Sequence, residues 1–199
     1  MYEQFRDIGR DLFVSGLITS HGGNMSVRLG DRIVITRRGA VLGRLRPEDL
    51  VETGLERDDA MVTLASTELV VHRAIYRATS ALAIVHTHPL HATALSLVED
   101  AVVPVDSEGS YLLHRVPVVE AARTVGSAEV GRILAEALRD HRVVLLRGHG
   151  AFAVGELLEE AYMVSSTLEA SARILCILGS LGKASIREYR EGADRYREW

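Results

Sequence analysis

Residues 83–95 read AIVHTHPLHATAL, and the architecture turns on how this stretch is read. Leu82, Ile84, His86 and His88 alternate with Ala83, Val85 and Thr87, the period-two pattern of a strand. Pro89 has no backbone N–H to give a sheet. It ends the strand and suits the first turn of a helix over LHATALSLV. Residues i and i+2 of a strand share a face, roughly 6.5–7 Å apart. His86 and His88 therefore project together, while His91 falls on the helix, at the surface or beside the pair. Two readings of the pair stand: hydrogen-bonded polar groups in a buried strand, or two teeth of a metal chelator.

The pattern continues outward on both sides. Phe5, Ile8, Leu12 and Phe13 have helical spacing and place an amphipathic helix over residues 4–17. MSVRL and RIVIT read as strands joined by a tight hairpin at Gly30-Asp31. Before them, His21-Gly22-Gly23-Asn24 is a loop whose glycines tolerate unusual backbone angles and so expose N–H groups. Ser66 and Thr67 cap a helix over ELVVHRAIYRA with an acid in its first turn.

Farther along, AVVPV and YLLHRVPVV are strands on either side of a polar DSEGS turn. Ser127 caps a helix through Leu138, and RVVLLRG, GHG and AFAVG form a strand, a turn and a strand. Residues 156–182 make a long amphipathic helix. Strands outnumber long helices and follow one another in groups. This predicts an α/β fold with a mixed, mainly antiparallel sheet between helices, not a regular βαβ array. The GxG of RGHG lacks the third glycine and the downstream acid of a dinucleotide fold.

The 199 residues, 47% hydrophobic and 25% charged, are enough for one sizeable core, and the length favours one domain. A polar tail over 183–199 follows it, with five basic and four acidic residues. A formal charge of −4 and a pI near 6.1 give no electrostatic reason to expect nucleic acid or anionic membrane as a partner. A single cysteine, Cys176, excludes an intramolecular disulfide, and its apolar neighbours predict a buried, unreactive thiol. The N-terminus lacks the basic and apolar regions of a signal peptide, and no apolar run reaches the length of a bilayer span. A cytoplasmic protein is the simplest expectation.

A third ligand would favour the metal reading, and His149 is the best placed, between two glycines at the end of RVVLLRG. The alternative is an ordinary turn histidine. His114 and His141 have no partners in their contexts and are read as structural or solvent-facing. Three imidazoles with an open position describe a catalytic zinc site, although histidines alone do not demand zinc over other divalent ions. Glu68 is the acid or base for such a site; its alternative is a first-turn acid matching the helix dipole. Ser66, Thr67 and the helix N-terminus form a corner suited to an anion such as phosphate.

GGNMSVR, ITRRG, STE, HTHPLHATA and LRGHGAFAVG, in this order over residues 5–182, resemble the class II aldolase family of zinc-dependent sugar-phosphate lyases and epimerases. The resemblance implies a three-layer α/β/α domain, assembled as a homotetramer with sites at subunit interfaces. It implies one Zn2+ on His86, His88 and His149, Glu68 as general base, and phosphate on Gly23, Asn24, Gly39, Ser66 and Thr67. His21 stands where the family aldolase has a small hydroxyl residue, and Arg38, a further phosphate candidate, where it has threonine. The family's proton-donating tyrosine, from a neighbouring subunit, is not matched. VVPVDSEGSY puts Glu108 at about that place, with Tyr111 close by and Tyr189 or Tyr196 in the tail.

The implied activity is retro-aldol cleavage of a ketose 1-phosphate to dihydroxyacetone phosphate and an aldehyde. A pentulose-5-phosphate 4-epimerase and a methylthioribulose-1-phosphate dehydratase share the same metal site. A non-catalytic adducin-like interaction domain, in which the metal ligands would be lost, stands at the far end of the fold.

Overall fold

The computed structural model describes residues 1–182 together with Ile186 and Tyr189. Tyr196 and most of the tail lie outside the described residues. Eight strands form one sheet: β1 (Asn24–Leu29), β2 (Arg32–Thr36), β3 (Leu50–Gly54), β4 (Ala83–Thr87), β5 (Ala101–Val102), β6 (Val116–Val119), β7 (Val143–Leu146) and β8 (Gly150–Gly155). They lie in the order β3-β2-β1-β4-β8-β7-β6-β5. Every neighbouring pair is antiparallel except β6–β7. The mixed, mainly antiparallel sheet expected from the sequence is the one found.

Six helices cover it: α1 (Tyr2–Val14), α2 (Leu69–Ala78), α3 (Leu90–Ser96), α4 (Ser107–Leu112), α5 (Ala128–Ala137) and α6 (Leu158–Ser180). Alternation along β4 shows how the layers arise. Ala83 and Val85 enter the core beneath α1, α3 and α6, built with Phe5, Leu12, Val164 and Leu168. Ile84 turns to the other side, with Ile75 and Tyr76 of α2 and Leu134 of α5. Thr87 faces α6, where its hydroxyl lies 2.6 Å from that of Ser165, so two buried polar groups satisfy each other.

Two expectations need correction. DSEGS is no turn: Asp106 caps α4 by accepting from the Gly109 N–H, so YLL continues a helix and β5 shrinks to two residues. Cys176, expected to be buried, is half-buried on α6. Its thiol is pushed up by the burial it has and by Glu169, which keeps it protonated.

Among the described residues α6 alone is long and apolar enough to cross a membrane by length and composition, which the sequence had not suggested. Here it is the outer layer of the sheet, with Leu158, Ala161, Val164 and Leu168 buried. Its Glu169 reaches α3, accepting from the N–H groups of His91 and Ala92 and from the His91 ring. His91 is thereby engaged away from His86 and His88.

Phe152 on β8 is fully buried, pairs in register with His86, and stacks on that imidazole with centroids 4.0 Å apart at 15°. Phe152→Ala should cost about 3–5 kcal/mol of stability, through lost burial and the cavity it leaves. Chemical denaturation measures this; a loss under about 1 kcal/mol would mean that the site floor repacks.

Candidate active site

The hairpin between β7 and β8 places His149 beside the end of β4, and the three histidines meet as the sequence suggested. His86 Nε2 lies 3.1 Å from His88 Nε2 and 3.2 Å from His149 Nε2. Among the described residues these three form the only cluster of three or more side chains able to ligate a metal.

The tautomers of His86 and His149 follow from their partners. His86 Nδ1 lies 3.0 Å from the Ala151 carbonyl and His149 Nδ1 lies 2.5 Å from the Thr124 carbonyl. A carbonyl only accepts, so both Nδ1 atoms carry the proton and both Nε2 atoms present lone pairs. Burial, with His88 and His149 nearby, holds His86 well below the usual imidazole range, and burial and His149 bring His88 down to about 4. Imidazole nitrogens crowded this closely fit a divalent cation at their centre. Room for His88 depends on Gly22, where a Cβ would meet His88 Nδ1 at 2.7 Å.

Glu68 occupies the N-cap position of α2, one residue before the first turn expected for it, and Ser66 Oγ accepts its N–H. The residue is 3% exposed. Gly126 N–H donates to Oε1 at 2.8 Å, while Oε2 is buried without a partner. Burial raises the Glu68 pKa, opposed by the Gly126 N–H and by His149, as expected for a base in this position.

A cavity of about 240 Å³ joins these groups to His21, Gly23, Asn24, Arg38, Gly39, Ser66 and Thr67. Gly23, at φ +77°, carries the loop into β1, where Asn24 pairs in register with His86. Asn24 Oδ1 is buried and unpartnered. Arg37, on the same wall, is committed to Asp49 at 2.8 Å. A larger hollow of about 560 Å³, lined by residues including Thr79, Arg139, Arg142 and Glu160, lies at the other end of β8 and contains no histidine.

Of the candidate proton donors, the described ones, Glu108, Tyr111 and Tyr189, do not line this cavity. Glu108 is exposed on α4 and Tyr111 is half-buried there. Tyr189 is 67% exposed, its backbone N–H bonded to the Val105 carbonyl near β5. None of the three lines the site within this chain. Sequence reading missed Thr124 and Gly126, because both act through backbone groups. The glycine before the Ser127 cap was the one available signal.

Behind Phe152, and outside the cavity, His72 of α2 is fully buried. Ser26 Oγ lies 2.6 Å from its Nδ1 and 2.7 Å from the Tyr76 hydroxyl. Burial alone lowers His72 from 6.5 to about 3. A histidine depressed in the folded state contributes stability above its unfolded value, which is lost as pH falls toward the folded one. His72 should therefore cost about 2 kcal/mol between pH 7 and pH 5. Urea unfolding of His72→Gln should show a correspondingly smaller acid loss than wild type; equal losses would remove His72 from the account.

Known proteins resemble the chain over most of its length. Residues 3–176 match the model of the class II aldolase and adducin N-terminal domain family. An L-fuculose phosphate aldolase of Methanocaldococcus jannaschii is 32% identical over 86% of this chain and 93% of its own length. A 3-oxo-tetronate 4-phosphate decarboxylase of Escherichia coli is 32% identical over 89% of this chain and 86% of its own. The crystal structure of an L-fuculose-1-phosphate aldolase from Thermus thermophilus superposes with a TM-score of 0.87 at 45% identity, covering 93% of this chain and 97% of that one. The chain belongs to the class II aldolase family, as one of its lyases.

Proposed function

We propose that this chain catalyses reversible retro-aldol cleavage of a ketose 1-phosphate, L-fuculose 1-phosphate or a close analogue, to dihydroxyacetone phosphate and an aldehyde. The observation that carries this reading is the unpartnered Oε2 of buried Glu68 beside three converging Nε2 atoms. His86, His88 and His149 would hold the metal, Zn2+ by the resemblance. When bound, it supplies Lewis-acid stabilisation of the charge that develops on the substrate carbonyl oxygen as the carbon–carbon bond breaks.

The remaining steps belong to the chain. Gly23, Asn24, Gly39, Ser66 and Thr67, joined by Arg38, bind the phosphate and hold C3 toward Glu68. Arg38 suits this task because its guanidinium has no partner among the described residues and offers several donors. Glu68 Oε2 takes the C3 proton of dihydroxyacetone phosphate in synthesis and returns it in cleavage. The aldehyde's proton donor comes from a second copy of the chain, Tyr196, Tyr189, Tyr111 and Glu108 being the candidates. A homotetramer supplies that copy. Exposed Ile174, Ile177 and Leu181 at the end of α6 support such contacts. A cytoplasmic location completes the proposal.

A second reading is favoured by the relatives named 3-oxo-tetronate 4-phosphate decarboxylase, one of which shares the same 32% identity as the Methanocaldococcus jannaschii aldolase. Loss of carbon dioxide from a 3-oxo acid phosphate develops the same charge beside the same carbonyl. Product analysis of the zinc-loaded protein separates the readings. Dihydroxyacetone phosphate released from a ketose 1-phosphate is the expected outcome. Carbon dioxide from a 3-oxo acid phosphate, inversion of a pentulose 5-phosphate or loss of water from methylthioribulose 1-phosphate, without aldehyde release, would replace it.

A further inference from the structure

We infer that the turn Thr124-Val125-Gly126 is a positioning device that sets the metal ligand and the base in one frame, and that it assigns Oε2 of Glu68 as the proton-carrying oxygen. Within three residues its backbone touches both groups. The Thr124 carbonyl accepts from His149 Nδ1–H at 2.5 Å, and the Gly126 N–H donates to Glu68 Oε1 at 2.8 Å. The first bond aims His149 Nε2 at the other imidazoles. The second ties one carboxylate oxygen and leaves the other, Oε2, buried without a hydrogen-bond partner on a residue that lines the cavity.

The turn is anchored on both sides. Ser127 Oγ accepts from Val130 N–H at the start of α5 and donates to the Arg123 carbonyl, closing the segment on itself. In turn α5 packs against α2, the helix that begins at Glu68. Glu68, α2, α5 and the turn thus form a closed loop of contacts, and His149 is tied to it through the Thr124 carbonyl. Gly126 is required in it twice over: its φ is +54°, and a Cβ there would meet the Thr67 carbonyl at 2.7 Å. A side chain would drive the turn away from the Ser66-Thr67-Glu68 corner and move both bonds together.

The role of Oε2 rests on the proposed aldol reading, whereas the tie to His149 does not, so two readouts are needed. Zinc affinity of the metal-free protein, measured by chelator competition, needs no substrate. Turnover is measured on the ketose 1-phosphate that wild type cleaves. Gly126→Ala should weaken zinc binding about tenfold and lower kcat about a hundredfold, with KM nearly unchanged. Both values at the wild-type level in folded protein would overturn the inference.

Should Gly126→Ala fail to fold, Ser127→Ala decides. It loosens the anchor and leaves the glycine, and should move both quantities in the same direction by a smaller factor, with Ser127→Thr restoring them. Wild-type values in Ser127→Ala, or no recovery in Ser127→Thr, count against the inference. If wild type cleaves no ketose 1-phosphate, the proposed function fails and the zinc measurement still judges the turn.

Discussion

Replacing Glu68 with glutamine is expected to lower kcat by about 10²–10⁴-fold while zinc content and KM stay close to wild type. Glutamine preserves shape and still accepts from the Gly126 N–H, so the site geometry survives. What disappears is an oxygen able to take a proton. Burial adds a second, opposite effect. The folded-state pKa of Glu68 is raised, so its contribution to stability is fullest below the unfolded value and is lost as pH rises through the folded one. At pH 7, above the unfolded value, burial of Glu68 therefore costs stability, and the metal-free Glu68→Gln protein should melt at a higher temperature than wild type. Loss of activity together with a gain in thermal stability is the signature of a residue kept for chemistry. Retained turnover would remove Glu68 from the base role.

Replacing His88 with alanine should have an effect of similar size by a different route. His88 contributes one of three converging Nε2 atoms, and two imidazoles hold a divalent ion far less tightly than three. Metal analysis of the purified variant should find little zinc, with turnover near the uncatalysed level even when substrate is in excess. A zinc content equal to wild type would remove His88 from the ligand set. The two variants separate the functions of the site: Glu68→Gln loses turnover and keeps its metal, and His88→Ala loses both.

The parts of this account differ in how far the sequence revealed them, for physical reasons. His86 and His88 were legible because extended backbone puts i and i+2 on one face, although β4 ends at Thr87 and His88 lies one residue past it. The Gly30-Asp31 hairpin and the Ser127 cap were legible because turn and cap chemistry is local. His149 was legible only as a candidate, since a glycine on each side says nothing about which distant strand lies next to it. Its arrival depends on β8 pairing with β4, a contact about seventy residues long in sequence.

Misreading DSEGS had a different origin. Polar residues with a glycine suggest a turn, yet Asp106 three residues before Gly109 is also a capping arrangement, and the helix prevailed. Phe152 under His86 and Glu169 at the start of α3 are tertiary choices with no local signature. Thr124 and Gly126 act through a carbonyl and an N–H that every ordinary residue carries, so their identities gave little warning.

The central claim, that Glu68 moves a proton at the carbon beside a carbonyl held over the three-histidine centre, is tested most directly without any aldehyde. Zinc-loaded protein incubated with dihydroxyacetone phosphate in deuterated water should exchange one hydrogen at C3 for deuterium, read by proton NMR. Glu68→Gln should not exchange it. No exchange by wild type, or undiminished exchange by Glu68→Gln, would contradict the account.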